Sequence, residues 1–276
     1  MITWIFAVDE SWNIGYEGDM IYWIKKDLKR FRQLTWGKAM LMGRNTFEAL
    51  PGVLENREHY VLTTRENYER EGITVLKDRG EALELVKSKE TFLIGGARVA
   101  TDFLDETTDA YITEIKASGK AFDTSLPNLN THGFHALWRT PLYFENALPF
   151  TYAYYTREPG YDFSLKEEKK GDERIFSTYR DGKKVGEVIV KEDWILSLKG
   201  EGKHFLEKTL CEVLHILVGE GLEVLYAKSG PGAWWRSCRS RPGSPRSITR
   251  WPAGSNPPSG RPVPMCWTSS TVDGFA

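Results

Sequence analysis

The chain has 276 residues and a formal net charge of −1, with 41% hydrophobic and 27% charged residues. These values are ordinary for a globular protein with a buried core, and they exclude a strong overall attraction to nucleic acid or to an anionic membrane. The first residues, MITWIFAVDE, contain no basic leader, and no apolar run is long enough to span a membrane, so we expect a cytoplasmic protein. The three cysteines lack CxxC spacing, which favours neither a disulfide framework nor a zinc site.

Residues 1–160 alternate apolar runs with helical patterns. Five apolar runs predict strands, at residues 2–8, 39–43, 60–64, 91–96 and 110–115. Four patterns with helical spacing lie near residues 24–35, 44–50, 79–88 and 97–104. A C-terminal antiparallel hairpin follows, ending near residue 158. The sequence therefore predicts an α/β fold, a doubly wound, mostly parallel sheet with helices on both faces.

The remainder of the chain divides into three regions by composition. The charged stretch SLKEEKKGDE predicts a linker over residues 161–173. Residues 174–228 predict a small α+β unit of unknown role, with a hairpin turn at Asp181-Gly182 and one amphipathic helix.

The segment 229–276 is rich in Arg, Pro, Ser and Trp, and we expect it to be disordered. Its arginines and tryptophans could bind nucleic acid. The alternative is a different reading frame or a cloning remnant, which the absence of lysine from this segment favours.

Asp27 is an unexpected residue in the first predicted helix. It falls within the apolar arc formed by Ile24, Leu28, Phe31, Leu34 and Thr35, although the opposite face is rich in Lys and Arg. Two structural roles compete with a functional one: a helix N-cap, and a core acid paired with Arg30. Arg30 stands where a capping box needs Glu or Gln, and it is assigned to the opposite face.

Two strand ends are followed by glycine and a short helix, in LMGRNTFEAL and LIGGARVATDF. Glycine lets a backbone approach a ligand closely, and the arginine in each motif, Arg44 or Arg98, suits a phosphate. A third strand end, VLTTRE, presents Thr63, Thr64 and Arg65, which suit one further phosphate such as the 2′-phosphate of NADP. Two such turns fit a dinucleotide, although neither has the GxGxxG or P-loop pattern.

Seven motifs, taken together and in their order along the chain, resemble motifs of the dihydrofolate reductase family. They are FAVDESWNIG, DLKRFRQLTWGK, MGRNTFEALP, LENR, IGGARV, YITEI and FDTSLP, and the resemblance covers residues 1–157. It implies NADPH-dependent reduction of dihydrofolate to tetrahydrofolate in one-carbon metabolism, with antifolates as inhibitors. Asp27 would lie beneath the pteridine ring and assist protonation of N5 while hydride passes to C6.

The resemblance also assigns site residues by position. The catalytic group would consist of Asp27, Tyr22 and Thr113. The substrate would contact Ala7, Leu28, Phe31, Leu54 and Arg57, the last holding the glutamate α-carboxylate. NADPH would contact Ala7, Ile14, Gly15, Gly43, Arg44, Thr46, Thr63, Thr64, Arg65, Gly95, Gly96, Ala97 and Arg98.

The sequence departs from the family pattern at two places. Met20-Ile21-Tyr22-Trp23 and Lys25 replace a stretch that usually carries two prolines, which predicts a looser loop. The family's tryptophan is either displaced by one position, to Trp23, or replaced by Tyr22. Ala100 replaces an aromatic residue. Two alternative functions remain: a pyrimidine-nucleotide reductase of riboflavin synthesis, which would not need Asp27, and a reductase-derived binding protein without turnover.

Overall fold

The structure is a computed structural model that describes residues 1–158, 160, 162–201 and 204–222, and the backbone of 226–227, 234–236, 263–264 and 266–270. It divides into two compact units, Met1–Gly160 and Tyr161–Ala276. None of the helices in these ranges is long and apolar enough to cross a membrane.

The first unit is built around one mixed sheet. Its strands are β1 (Ile2–Val8), β2 (Asn13–Tyr16), β3 (Asp19–Met20), β4 (Ala39–Gly43), β5 (Glu58–Leu62), β6 (Ile73–Leu76), β7 (Thr91–Gly95), β8 (Thr107–Ile115), β9 (Thr124–Ser125), β10 (His135–Arg139), β11 (Tyr143–Glu145) and β12 (Leu148–Thr156). Its helices are α1 (Lys25–Thr35), α2 (Arg44–Ala49), α3 (Arg79–Ser88) and α4 (Ala97–Asp102), with a 3₁₀ turn at Leu129–Thr131.

The strand order of the main sheet is β10-β12-β8-β1-β7-β4-β5-β6, with β11 paired to β12. The strands from β8 to β6 are parallel, while β12 runs antiparallel to β8 and β10 antiparallel to β12. The prediction of a doubly wound, mostly parallel sheet with a C-terminal antiparallel hairpin is therefore confirmed. The short edge strand β6 was not predicted, because four residues give too little periodicity to identify.

The two faces of the sheet carry different apolar layers. Alternate residues of β1, Ile2, Trp4, Phe6 and Val8, belong to a core that α3 and α4 cover. The other face carries Met40 and Met42 of β4, against which the partly buried Phe31, Leu50 and Leu54 pack. Alternation with period two thus divides each buried strand between a structural core and the face that meets α1.

The second unit is a sheet covered by a helix. Its first four strands are β13 (Phe163–Lys170), β14 (Glu173–Arg180), β15 (Lys183–Lys191) and β16 (Trp194–Gly200), and each is antiparallel to the next of the four. Helix α5 (Phe205–Gly219) packs Leu210, Val213, Leu214 and Leu217 against apolar residues of these strands. The predicted hairpin turn is observed, with positive φ at both Asp181 (49°) and Gly182 (79°).

The prediction of a linker over residues 161–173 is wrong, because most of this segment forms β13. The strand lies at an edge of the sheet, where charged side chains remain in water on either face. Glu167 accepts a hydrogen bond from Arg174 Nε on the adjacent β14 at 2.7 Å, and Lys166 Nζ lies 5.0 Å from the ring centre of Tyr179. The charges that suggested a linker therefore take part in cross-strand contacts.

Among the described residues beyond α5 are the short strands β17 (Tyr226–Ala227), β18 (Trp234–Arg236), β19 (Val263–Pro264) and β20 (Cys266–Ser270). β17 pairs parallel with β16 and antiparallel with β19, and β18 pairs with β20. The rest of 229–276, for which disorder and nucleic-acid binding were considered, lies outside the described residues.

Candidate active site

Helix α1 begins at Lys25 without a capping side chain of its own. Ile24 occupies the N-cap position and offers no side-chain acceptor. The carboxylate of Glu145 on β11 supplies the missing acceptor: Lys25 N donates to Oε1 at 2.6 Å and Lys26 N donates to Oε2 at 3.1 Å. A carboxylate there also complements the positive end of the helix. Asp27 is therefore not the N-cap, and that alternative is excluded.

Asp27 lies in the first turn of α1 and is hydrogen-bonded to the sheet. The hydroxyl of Thr113 on β8 donates to Asp27 Oδ1. Asp27 keeps some accessible surface, yet the withdrawal of its carboxyl from water raises its pKa. The Thr113 hydrogen bond and the charge of Arg30 lower this pKa, and the charge of Glu145 raises it. A raised pKa makes this carboxyl easier to protonate than an exposed aspartate, which suits a group that takes part in proton transfer.

Arg30 is buried, although the sequence placed it on the charged face of α1. Only 7% of its surface is exposed, and its guanidinium carbon lies 4.3 Å from the ring centre of Tyr152 and 5.3 Å from that of Tyr111. The prediction that Arg30 points away from the apolar face is wrong, because the two rings give the guanidinium a favourable cation–π contact. Its aliphatic stem can lie along an apolar surface.

The two aromatic residues that precede α1 differ in burial. Tyr22 is 9% exposed and Trp23 is 61% exposed. The Tyr22 hydroxyl is buried and has no hydrogen-bond partner within the described part of the chain. Burial, with the charges of Asp9 and Glu10, raises the pKa of Tyr22, so the phenol stays protonated and can donate to a ligand. Of the two residues considered for the tryptophan's place, Tyr22 is therefore the buried one.

Strand pairing and hydrogen bonds connect the loop before α1 to neighbouring segments. β2 and β3 form a hairpin that also pairs with β9. Asp123 ties the hairpin twice: its amide donates to Gly15 O at 3.0 Å, and its carboxylate accepts from Glu17 N at 2.7 Å. Ile14 is half-buried and accepts from Ile21 N at 3.3 Å. These contacts place Ile14 and Gly15 beside the segment that carries Tyr22.

Arg57 has an unpaired donor at a partly buried position. Its Nε is buried and meets no acceptor among the described residues, while its guanidinium carbon lies 5.5 Å from the ring centre of Trp36. Burial and the nearby charge of Arg32 lower the pKa of Arg57, although a guanidinium stays charged at any physiological pH. A carboxylate ligand would satisfy both the unpaired donor and the charge.

The His59 ring contacts the backbone of this arginine and that of Leu54. Its Nε2 accepts from Leu54 N at 3.0 Å, and its Nδ1 lies 3.1 Å from Arg57 O. Leu54 and Phe31 contact the same apolar cluster of the sheet. Leu28, one turn before, is half-buried on the same helix. The residues predicted to line the aminobenzoyl channel thus lie on α1 and on the segment just before β5.

The two glycine turns lie side by side, because β4 and β7 are neighbours in the sheet. A Cβ on Gly95 would lie 2.6 Å from Thr46 Cγ2, and one on Gly96 would lie 3.2 Å from Thr46 Oγ1. A Cβ on Gly43 would lie 3.2 Å from a valine methyl of α4. At the carboxyl ends of β4 and β7, these three glycine positions therefore have no room for a side chain. Bare backbone at this place fits the close approach of a phosphate-bearing ligand.

The residues predicted to bind the 2′-phosphate follow the carboxyl ends of the neighbouring strands β4 and β5. Gly43 pairs with Leu62, so the loop after β5, with Thr63, Thr64 and Arg65, lies beside Arg44. Arg44 Nη1 is 2.6 Å from Glu48 Oε2, an exchangeable surface ion pair. At the neighbouring turn Ala97 begins α4, and the side chain of Arg98 is 94% exposed. Both arginines are accessible to an incoming anion.

Two residues near Asp27 were missed or misplaced by the sequence interpretation. Glu145 is 118 residues away from Asp27 in sequence, and no local signal indicates that it caps α1. A signal did exist for Arg30, because a spacing of three residues places it only about 60° from Asp27 on the helix. Arginine was assigned to the solvent face by its charge alone.

Comparison with solved structures and known sequences identifies the protein family that this chain resembles. A dihydrofolate reductase from Enterococcus faecalis, solved with NADP(H) and RAB-propyl, superimposes with a TM-score of 0.53 and 28% identity, covering 58% of this chain and 97% of that one. Dihydrofolate reductase of Bacillus subtilis is 35% identical over 116 residues, 42% of this chain and 69% of that protein. The dihydrofolate reductase of Haemophilus influenzae is 37% identical over 119 residues, which cover 42% of this chain and 72% of that protein.

The sequence model of the dihydrofolate reductase family matches residues 1–157, more than half of the chain. The chain therefore belongs to the dihydrofolate reductase family. The predicted resemblance is confirmed, and so is the prediction of an oxidoreductase of this kind. Residues 158–276 lie beyond the matched region.

Proposed function

We propose that the chain reduces 7,8-dihydrofolate to tetrahydrofolate with NADPH, and that Asp27 assists the proton transfer. The observation that carries this proposal is the carboxyl of Asp27, held by the Thr113 hydroxyl on the face of the sheet opposite the structural core. One hydride is added at C6 and one proton at N5, so the C=N bond becomes CH–NH and NADPH becomes NADP⁺.

Asp27 and Thr113 would orient the pteridine. A carboxylate accepts two N–H donors side by side, and the 2-amino and N3 groups of a pterin offer such a pair. Ala7 is paired directly with Thr113 in the sheet, so its backbone is close to the same ring. Tyr22 would donate its unpaired hydroxyl to the ligand or to a water that passes the proton to N5.

Arg57 would bind the far end of the substrate. Its partly buried, unpaired guanidinium is suited to the glutamate α-carboxylate, and Leu28, Phe31 and Leu54 would contact the aminobenzoyl ring between the two ends. Antifolates that keep the paired N–H donors would compete for the same groups. The substrate's rigid ring and its anionic tail thus each have a matching partner.

The glycine turns would hold the dinucleotide. When bound, NADPH supplies the hydride from C4 of its nicotinamide. Gly43, Gly95 and Gly96 would admit its phosphates to the backbone, and Ile14 and Gly15 would cover the nicotinamide end. The E. faecalis relative was solved with NADP(H), which supports the same cofactor here. The 2′-phosphate would be bound by Arg44, Thr63, Thr64 and Arg65.

A spectrophotometric assay of the full chain tests this function. We expect NADPH absorbance at 340 nm to fall only when dihydrofolate is added, and diaminopyrimidine antifolates to block the reaction. Turnover with the pyrimidine nucleotide of riboflavin synthesis in place of dihydrofolate would support the related reductase instead. Tight binding of both ligands without NADPH oxidation would support a binding protein.

A further inference from the structure

Asp27 and Arg30 rest on one patch of the sheet. Thr113 of β8, which donates to Asp27, pairs directly with Tyr152 of β12. Tyr111 lies two residues before Thr113 and therefore points to the same face. Both tyrosine rings contact the guanidinium of Arg30. The acid and the cation are thus fixed to adjacent parts of the same surface, one helical turn apart.

We propose that Arg30 is a positioning residue that favours the carboxylate form of Asp27, and that it thereby sets the pH range over which the enzyme protonates its substrate. This inference rests on the proposed function, in which Asp27 assists the proton transfer to N5. It adds a role for a side chain that the proposed chemistry does not itself require.

The position of Arg30 allows its charge to act on the Asp27 carboxyl with little screening. Asp27 and Arg30 are three residues apart on α1, so their side chains leave the helix on neighbouring parts of one face. A nearby positive charge favours the ionised form of a carboxyl group. Arg30 is 7% exposed, so salt screens its charge less than it screens a surface charge. The two rings also restrict the guanidinium, and an arginine does not lose its proton at physiological pH.

The surrounding elements carry few other charges toward Asp27. The charges that act on the Asp27 carboxyl are those of Arg30 on its own helix and Glu145 of β11, and the phenols of Tyr111 on β8 and Tyr152 on β12 lie on the same face of the sheet. The phenols are neutral near pH 7. Arg30 lowers the pKa of Asp27 and Glu145 raises it. Neutralising these two side chains should therefore move the protonation of Asp27 in opposite directions.

Full-length variants test the proposal with a readout that needs no turnover. The carboxyl ¹³C resonance of Asp27, assigned by its loss in Asp27→Asn, is titrated in the ligand-free protein and compared with the pH profile of kcat/KM. The neutral variant is Arg30→Gln, with Arg30→Met as a second neutral variant that keeps the contact with the rings. Arg30→Lys keeps the charge, and Lys29→Gln removes one exposed charge from the same helix.

We expect Arg30→Gln or Arg30→Met to raise the NMR midpoint by about one pH unit, the lower end of the shift that a nearby opposite charge produces. The alkaline limb of kcat/KM should move up by the same amount. Arg30→Lys should have an NMR midpoint and an alkaline limb close to those of the wild type. Lys29→Gln should leave both values unchanged, and Glu145→Gln should lower both.

An unchanged midpoint in a folded neutral variant would overturn the proposal, as would an equal shift in Lys29→Gln. A shift that Arg30→Lys fails to reduce would also overturn it, because the cause would then be packing and not charge. The proposed function fails separately, if Asp27→Asn keeps full activity. The NMR titration of the Arg30 variants remains decisive in either case.

Discussion

At the residue scale, the protein is defined by a carboxyl group in a position that costs free energy. Burial of Asp27 raises its pKa, and the Thr113 hydroxyl and the Arg30 charge offset only part of that effect. The unfolded chain holds the same carboxyl at a pKa of about 3.9. Above that value, the unfolded chain releases a proton that the folded protein still holds, so stability falls as pH rises toward the folded pKa.

Asp27→Asn should therefore stabilise the ligand-free protein at neutral pH. The amide is neutral at every pH, and it avoids the cost of withdrawing an anion from water. We expect a gain on the order of 1 kcal/mol at pH 7, where the wild-type carboxyl bears that cost, and no gain near pH 3.5, where the carboxyl is protonated in the folded protein. Urea unfolding at both pH values measures it. A loss of stability at pH 7 would show that the charged form of Asp27 is held favourably by the fold.

Arg44 provides a second residue-scale prediction, for cofactor choice. A charge-assisted hydrogen bond contributes about 1.5–3 kcal/mol, so Arg44→Gln should weaken NADPH binding about tenfold or more and leave NADH binding almost unchanged. Fluorescence titration with each cofactor measures both affinities. Arg98→Gln is the matched variant, and it should weaken both cofactors together. Equal losses from Arg44→Gln would assign Arg44 to the pyrophosphate or to the fold.

At the element scale, the second unit depends on a close contact between α5 and its sheet. Gly186 of β15 pairs with Thr178 of β14, and Thr209 of α5 lies above both, with 2.7 Å between the two threonine hydroxyl oxygens. Both threonines are fully buried. A Cβ on Gly186 would lie 2.3 Å from Thr209 Oγ1 and 2.5 Å from Thr178 Oγ1. The helix can approach the strand this closely only because the residue is glycine.

Gly186→Ala should therefore loosen the second unit by roughly 1–3 kcal/mol, as overpacking does in other cores. Hydrogen–deuterium exchange should become faster in β14, β15 and α5. The control is Gly219→Ala at the end of α5, where an added Cβ meets nothing within 4 Å and should have little effect. Unchanged exchange in Gly186→Ala would mean that α5 is not seated on the sheet as described.

The elements also show how far sequence patterns reach. The buried strands of the first unit and α1, α3 and α5 follow from their apolar spacing, because burial on one face imposes that period. β13 could not be found this way, since an edge strand buries little and its charged side chains follow no period. The helix cap by Glu145 depends on a contact across more than 100 residues, which no local pattern contains.

At the scale of the whole molecule, the family was predicted correctly because several motifs agreed on it. The two glycine turns lie side by side because the parallel strands β4 and β7 bring their carboxyl ends together, and Thr113 of β8 donates to Asp27 of α1. Arg30 was misplaced because its environment is made by two tyrosines from β8 and β12, and these become neighbours of α1 only in the folded protein. Charge patterning alone assigns such an arginine to solvent.

The first 160 residues should fold and reduce dihydrofolate without the remainder of the chain. Every matched motif and the nine-stranded sheet lie within them, and this segment forms one compact unit. The fragment 1–160 should show cooperative thermal unfolding and a kcat close to that of the full chain. An insoluble or inactive fragment would indicate that residues beyond 160 complete the core or the site.

The central claim is that Asp27 is the acid of a dihydrofolate reductase, and the pH–rate profile of Asp27→Asn tests it most directly. The amide keeps the shape of the side chain but cannot carry charge or favour a protonated N5. We expect kcat at pH 7 to fall by roughly 10²–10⁴, the usual contribution of a proton-transfer group, and activity to recover as pH drops and solvent protonates the substrate. A folded Asp27→Asn protein with the wild-type rate at pH 7 and no acid rescue would contradict the account.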